Sequence, residues 1–377
     1  MGKPLLLFVV GTRPDAIKTA PVVLEFSRFP KLVDTLLVST GQHREMLQQA
    51  LDAFGLKPDE DLAVMKHGQT LAEVTSRALE RLDAVIEERS PSLVFGQGDT
   101  TSTFVSGLAA FYRQVPFAHI EAGLRTETVW NPFPEEFNRR AVSLFAKLHF
   151  APTDWAAQNL LKEGVERDAV FVTGNTGIDA VMSVAESHAR EWYAEHSGRV
   201  VLLTTHRREN WGEPQAAIAR AALRIVEEFD DVLLVVPMHR NPAVRETLQA
   251  VLGDTSRVDM IEPPDYADFV KLMRRSDLIL TDSGGVQEEA PSFGVPVLVL
   301  RETTERPEGI EAGTAKLVGT DESKIYEKSY TLLSSESAYS EMAKATSPYG
   351  DGRASARIRY AVLRSLGLDS PEEPMWI

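Results

Sequence analysis

Short β-branched apolar runs recur along this chain, separated by longer segments of helical periodicity, and that recurrence narrows the possible folds more than any other feature. "LLLFVV", "DTLLVS", "SLVFG", "PFAHIE" and "LHFAP" each read as a buried strand, while stretches such as "LAEVTSRALERLDAVIEE" between them carry apolar residues at helical spacing. Continuously apolar strands followed by helices make parallel βαβ units with both sheet faces covered. After "VFVTGNTGIDAVMSVAESHAREWYAE" the pattern restarts with "RVVLLTT", "DVLLVVP", "VDMIEP", "DLILTD", "PVLVL" and "AKLVG". The expectation is α/β: two doubly wound, Rossmann-like domains over 1–173 and 174–359, joined near Thr173 to Ile178. A closing helix in the tail, "GRASARIRYAVLRSLG", is expected to lie against either domain, with 360–377 assigned to the first.

Charge and composition remove several function classes. A formal net charge of -15 argues against nonspecific binding to nucleic acid or to anionic lipid, both of which need a basic face. The absence of cysteine removes disulfides, thiolate nucleophiles and cysteine-ligated zinc. No apolar run approaches the roughly 18 residues of a membrane span, and "MGKPLLLFVVGTRP" is too soon interrupted for a secretory signal, so a cytoplasmic location is expected.

Ligands of open α/β sheets bind outside the carboxyl ends of the strands, and the polar clusters of this chain fall there. In "VVGTRPDAIK", Gly11 permits a tight turn, Arg13 supplies a cation and Pro14 can start a helix. In "GQGDTTST", Asp99 occupies an N-cap position, so capping and chemistry are both open. "HIEAGLRT" brings Glu121 and Arg125 to the end of an apolar strand, where a carboxylate must be paired or used. "NPFPEEFNRR" presents Glu135 and Glu136 at a helix start, which suits the helix dipole as well as chemistry.

The second half holds the most informative stretch, "LTDSGGVQEEAPSFGVPVLVL". A strand, then Asp282, Ser283, Gly284 and Gly285, then a helix, aims free backbone N–H groups at an anion, most simply a phosphate. Glu288 and Glu289 follow one turn later, within reach of a sugar hydroxyl; Arg301 and Arg306 follow the next strand; Phe269 is either core or a stacking surface for a base. "TTHRRENWG" places His206 and its arginines at another strand end, where a cation can meet phosphate charge. A nucleotide diphosphate held in a cleft between the domains is the expected ligand. The dinucleotide and P-loop alternatives lack their glycine patterns.

"GTRPDAIK", "TGQHREML", "GDTTST", "HIEAGLRT", "PEEFNRR", "TGNTGIDA", "THRREN", "PMHRNP", "TDSGGVQEEAPSFGVPVLVLRETTERPE" and "SPYGDGRAS" together resemble the non-hydrolysing UDP-N-acetylglucosamine 2-epimerases of bacteria, in order and across nearly the whole chain. The resemblance implies a glycosyltransferase-B-like fold, a homodimer, and interconversion of UDP-N-acetylglucosamine with UDP-N-acetylmannosamine with no redox cofactor and no metal. It implies that Asp99, Glu121, Glu135 and His206 carry the chemistry. It places Arg13, Lys18, Phe269, Ser283, Gly284, Gly285, Glu289 and Arg306 on the nucleotide sugar, with Ser283 and Gly285 at the diphosphate, Glu289 at the ribose and Phe269 near the uridine. A second UDP-N-acetylglucosamine acts as an allosteric activator in the family, and Gln42, His43, Glu136 and His239 are the contributors expected here.

The C2 proton of the sugar is poorly acidic, because no carbonyl adjoins it. As UDP leaves C1, positive charge grows on the ring, C2–H acidifies, and its loss leaves 2-acetamidoglucal; re-addition with the proton delivered to the other face gives the epimer. The path needs stabilisation of the leaving diphosphate, carboxylates beside C2 and exclusion of water. This chain departs from the family pattern at Asp15, where glutamate is usual, at Pro264, and at Gly68, where many relatives carry an arginine associated with activation. Weak dependence on the activator is expected from Gly68. A glycosyltransferase using the same cleft, an inert sugar-nucleotide sensor and a hydrolysing epimerase are the competing readings.

Overall fold

A computed structural model describes residues 2–41, 44–66, 68–186, 191–253, 255–304 and 306–376, the side chain of Arg44 excepted. It divides into two compact units, Met1–Ser183 with Tyr349–Ile377, and Val184–Pro348.

The first unit holds a seven-stranded parallel sheet of β1 (Leu5–Val10), β2 (Asp34–Ser39), β3 (Glu60–Asp61), β4 (Leu93–Gln97), β5 (Phe117–Ile120), β6 (Leu148–Ala151) and β7 (Val170–Val172). Its order is β3-β2-β1-β4-β5-β6-β7, so the direction of winding reverses between β1 and β4. Leu6 to Val10 are buried on both sheet faces, and Phe8 stacks on Phe95 of β4 at 4.4 Å between ring centroids. Each such side chain withdrawn from water stabilises the unit by about 1.5–3 kcal/mol. β3 and β7 lie outside the expected strands. β3 has only two residues, and β7 is a half-buried edge whose outer side is closed by the tail, with Trp376 N donating to the carbonyl of Val172 at 2.9 Å.

The tail helix Ala354–Ser365 packs within this first unit, against helix Arg13–Ser27. Its buried arginines hold it: Arg359 Nε donates to Glu25 at 2.8 Å, and Arg357 reaches the carbonyl of Thr173 at 3.0 Å and Asp351 at 2.7 Å. The unit boundary, at Ser183, falls later than the junction read between Thr173 and Ile178, and the return, at Tyr349, falls earlier than 360. The reason is local. Asn175 N donates to the carbonyl of Tyr349 at 2.7 Å, and Asp179, in helix Thr176–Ala185, accepts from Ser355 N at 2.7 Å and Ala354 N at 3.1 Å.

Burial pushes the Asp179 carboxyl up to about 6 from 3.8. A carboxyl raised on folding contributes stability that is fully present below its unfolded value and is lost as pH rises through its folded value. The advantage of the parent over Asp179→Asn is therefore expected to grow by about 1.4 kcal/mol per pH unit as pH falls from 6 to 4. Urea unfolding at the two pH values reads this, and a constant difference would show that Asp179 takes up no proton on folding.

The second unit repeats the construction with β8 (Arg199–Thr204), β9 (Val232–Pro237), β10 (Val258–Ile261), β11 (Leu278–Thr281), β12 (Val297–Val299) and β13 (Ala315–Leu317), in the parallel order β10-β9-β8-β11-β12-β13. Ile218, Ala222 and Ile225 of helix Glu213–Glu228 share a core with Val201, Leu203, Leu234 and Val236 of β8 and β9. The winding reverses between β8 and β11. Among the described residues no helix is long and apolar enough to cross a membrane.

Candidate active site

At the first unit's reversal point, the turn after β1 leaves no room for a side chain at Gly11, where a Cβ would meet Ser102. Thr12 caps helix Arg13–Ser27 and Asp15 returns the bond, a capping box. Asp15 is buried and accepts from Gly11 N at 3.3 Å, Thr12 N at 3.1 Å and Thr100 Oγ1 at 3.1 Å, tying the loops after β1 and β4 together. Burial pushes its carboxyl up to about 6. Arg13 beside it is half-buried and has no acidic partner among the described residues.

Lys18 Nζ and Gln97 Nε2 both donate to Glu121 Oε2, at 2.5 and 2.7 Å. Glu121 follows β5 with a φ of 62°, a left-handed conformation that costs a non-glycine residue on the order of 1–3 kcal/mol and persists where the surroundings enforce it. Asp99 is not the helix cap its position suggested. Thr100 caps helix Thr101–Tyr112, which frees the Asp99 carboxylate to meet Arg139 Nη1 at 2.5 Å, while its carbonyl accepts from Asn138 Nδ2 at 2.8 Å. His119 also supports this loop. Its Nε2 donates to the carbonyl of Gly98 at 2.7 Å, and burial pushes the imidazole down to about 3, so it is neutral.

Glu135 and Glu136, adjacent in sequence, are treated oppositely. Glu135 opens helix Glu135–Ser143 half-buried and with no ion pair among the described residues. Glu136 is fully buried and held by Arg139 Nε and Arg140 Nε, each at 2.6 Å, and by Thr126 N at 3.1 Å. Arg139 therefore joins Asp99 to Glu136, a role the sequence hinted at only by its spacing of three residues from Glu136. Arg125 points its charge at Glu163, at 2.6 Å.

In the second unit, β8 and β11 end side by side at Thr204 and Thr281. Ser283 precedes helix Gly284–Glu289, and its side chain makes no capping hydrogen bond to the first turn. Gly284 is required for close approach: a Cβ there would lie 2.7 Å from the guanidinium carbon of Arg306. Arg306 Nε pairs with Glu288 at 2.5 Å, so Glu288 is engaged with a cation, and Glu289 is half-buried beside Gly285.

The "HRREN" loop turns around one residue that sequence reasoning left without a role, Asp282. Its fully buried carboxylate accepts from Thr205 Oγ1, Arg207 N and Asn210 Nδ2, each at 3.0 Å, from His206 N at 3.0 Å, and from His206 Nδ1 at 3.0 Å. Burial alone would push that carboxyl up, but the His206 contacts and the backbone N–H groups hold it below the usual range. His206 keeps its other edge outward, its side chain 44% exposed, with its ring stacked on His239 at 6.0 Å between centroids. Burial and the neighbouring His206 push the His239 imidazole down. Phe269 is half-buried in helix Tyr266–Arg275, in the connection after β10. Gln42 and His43 lie outside the described residues.

A family model described as UDP-N-acetylglucosamine 2-epimerase matches residues 28–363. The UDP-N-acetylglucosamine 2-epimerase of Bacillus subtilis is 53% identical over 360 residues, covering 95% of this chain and 94% of the relative. A crystal structure of a UDP-N-acetylglucosamine 2-epimerase superposes with a TM-score of 0.93 at 48% identity, covering all of both chains. The Neisseria meningitidis UDP-GlcNAc 2-epimerase bound to UDP-GlcNAc gives a TM-score of 0.82 at 44% identity, covering 96% of this chain and 100% of that one.

Proposed function

Because the chain belongs to the UDP-N-acetylglucosamine 2-epimerase family, and is thereby an isomerase, we propose that it interconverts UDP-N-acetylglucosamine and UDP-N-acetylmannosamine by losing UDP to 2-acetamidoglucal and adding it back. The observation that carries this reading is the loop pair after β8 and β11. The uncapped start at Ser283, the guanidinium of Arg306 over Gly284 and the outward edge of His206 are three donors of the kind a departing diphosphate needs. The C1–O bond breaks with its electron pair going to UDP, a carboxylate takes the C2 proton, and C1=C2 forms. The reverse steps with protonation on the opposite face give the epimer. Asp99, Glu121 and Glu135 are the candidates for moving the proton, and Lys18 with Gln97 holds Glu121 in its strained pose. The product is a precursor for cell-surface polysaccharide.

Incubation with UDP-N-acetylglucosamine in deuterated water tests the reading. Deuterium at C2 with no acceptor present is the expected result. Sugar transfer confined to added acceptors, release of free N-acetylmannosamine, or binding without turnover would each replace it with another function.

Two further outcomes are expected. Gly284→Ala pushes aside the end of a flexible arginine rather than backbone, so the fold is expected to keep its stability within about 1 kcal/mol. Affinity for UDP falls by roughly tenfold, the loss of about one charge-assisted contact. Titration calorimetry beside a thermal melt separates the two effects. Gly68 has a φ of 70° and open space around it, with no side chain to offer an activator. Epimerisation in both directions is accordingly expected to follow near-hyperbolic kinetics. Strong sigmoidicity, with the reverse reaction silent until UDP-N-acetylglucosamine is added, would contradict it.

A further inference from the structure

We propose that Asp282 is a positioning residue for the reaction, holding Nδ1 of His206 so that Nε2 faces outward while UDP is the leaving group. The inference rests on the epimerase reading above. Asp282 is fully buried, and an ionised carboxylate can only accept hydrogen bonds, so the His206 nitrogen 3.0 Å away, Nδ1, must carry a hydrogen. In the neutral ring this leaves Nε2 as a bare lone pair, which would repel a phosphate oxygen. His206 can donate outward only as the doubly protonated imidazolium.

The rest of the Asp282 shell makes the orientation rigid. Thr205 Oγ1, His206 N, Arg207 N and Asn210 Nδ2 occupy the remaining acceptor directions, so the carboxylate cannot rotate away from the ring. Trp211 Nε1 donates to the carbonyl of His206 at 3.2 Å, and His239 stacks on the imidazole face. Among the described residues the charged and titratable groups near His206 include Asp282 after β11, His239 after β9 with Arg245 behind it, and Arg207, Arg208 and Glu209 of its own loop, the last paired with Arg301. Among these Asp282 alone both bonds the ring and bears negative charge against it. When the C1–O bond breaks, its electron pair stays on the β-phosphate oxygen, and the Nε2–H of His206 hydrogen-bonds that oxygen. On re-addition the C1–O bond reforms and the imidazolium is unchanged.

Asp282→Asn preserves volume, and its Oδ1 can still accept from Nδ1, but the charge is removed. The expected result is a loss of about 100-fold in kcat with KM changed less than threefold. A purely structural role for Asp282 would raise KM along with the loss in kcat. The decisive measurement is the cycle with His206→Asn. If Asp282 acts through His206, the double variant is no slower than His206→Asn alone, whereas an equal further loss in that background overturns the proposal. Should Asp282→Asn loosen the loop, UDP affinity by calorimetry will fall as well. The histidine nitrogen resonances of the parent then decide, because a His206 Nδ1 without a hydrogen also overturns it. Deuterium uptake at C2 by the parent is measured in the same series. Its absence removes the epimerase reading and this inference together, while its presence with an additive cycle removes the inference alone.

Discussion

Asp99→Asn is expected to lower kcat for C2 epimerisation by about 1,000-fold while leaving KM within threefold. The Asp99 carboxylate is 29% exposed, so substrate can reach it, and Arg139 fixes one of its oxygens at 2.5 Å. Asparagine keeps the volume and one accepting oxygen for Arg139 but cannot take up a proton. The fold should therefore survive. Thermal stability within about 1 kcal/mol of the parent, together with retained UDP binding, would separate lost chemistry from lost structure. A variant that turns over at near-normal rate would show that Asp99 moves no proton.

The largest effect on stability is expected at Gly123, two residues beyond Glu121. Its φ is 92°, and an added Cβ would run into the backbone carbonyl of Ala156, with the carbonyl carbon only 2.7 Å away. That carbonyl belongs to helix Asp154–Lys162, which cannot yield as a side-chain end can, and Asn159 of the same helix donates to the Gly123 carbonyl at 3.0 Å. Gly123→Ala should destabilise the first unit by at least about 3 kcal/mol, combining left-handed strain with overpacking. At that size the midpoint of thermal unfolding drops by roughly 6–12 °C. Gly164→Ala is the control. It has nearly the same φ, 90°, but nothing within 4 Å, so it should lose only the conformational part, about 1 kcal/mol. Equal losses at the two positions would mean that the contact with Ala156 contributes nothing.

These two predictions draw on different kinds of information. Asp99 could be picked out before any coordinates, because a carboxylate just past a buried strand of a doubly wound sheet falls where ligands bind. Its partner could not, since Arg139 is 40 positions away in the chain. Glu135 and Glu136 make the limit plainer. Both match a helix start, and Arg139 lies within one helical turn of each; the folded helix Glu135–Ser143 gives Arg139 and Arg140 to Glu136 and leaves Glu135 without an ion pair among the described residues. Asp282 was visible as a residue but not as a centre. The five groups named on its carboxylate come from four residues of a loop 72 to 77 positions earlier, brought there by the pairing of β8 with β11.

Local chemistry determined the repeating strand-and-helix order, the buried apolar runs, the glycine-opened helix start and the family of the protein, because each is written in neighbouring residues whose spacing sets periodicity and turn geometry. The tertiary structure decided which carboxylates are paired, where the tail returns, and which strand edges are closed by Trp376. Apart from the one-turn pairs of Glu136 with Arg139 and Arg140, those outcomes depend on contacts between residues far apart in sequence, and desolvation and hydrogen-bond geometry act on the contacts rather than on the order of the chain.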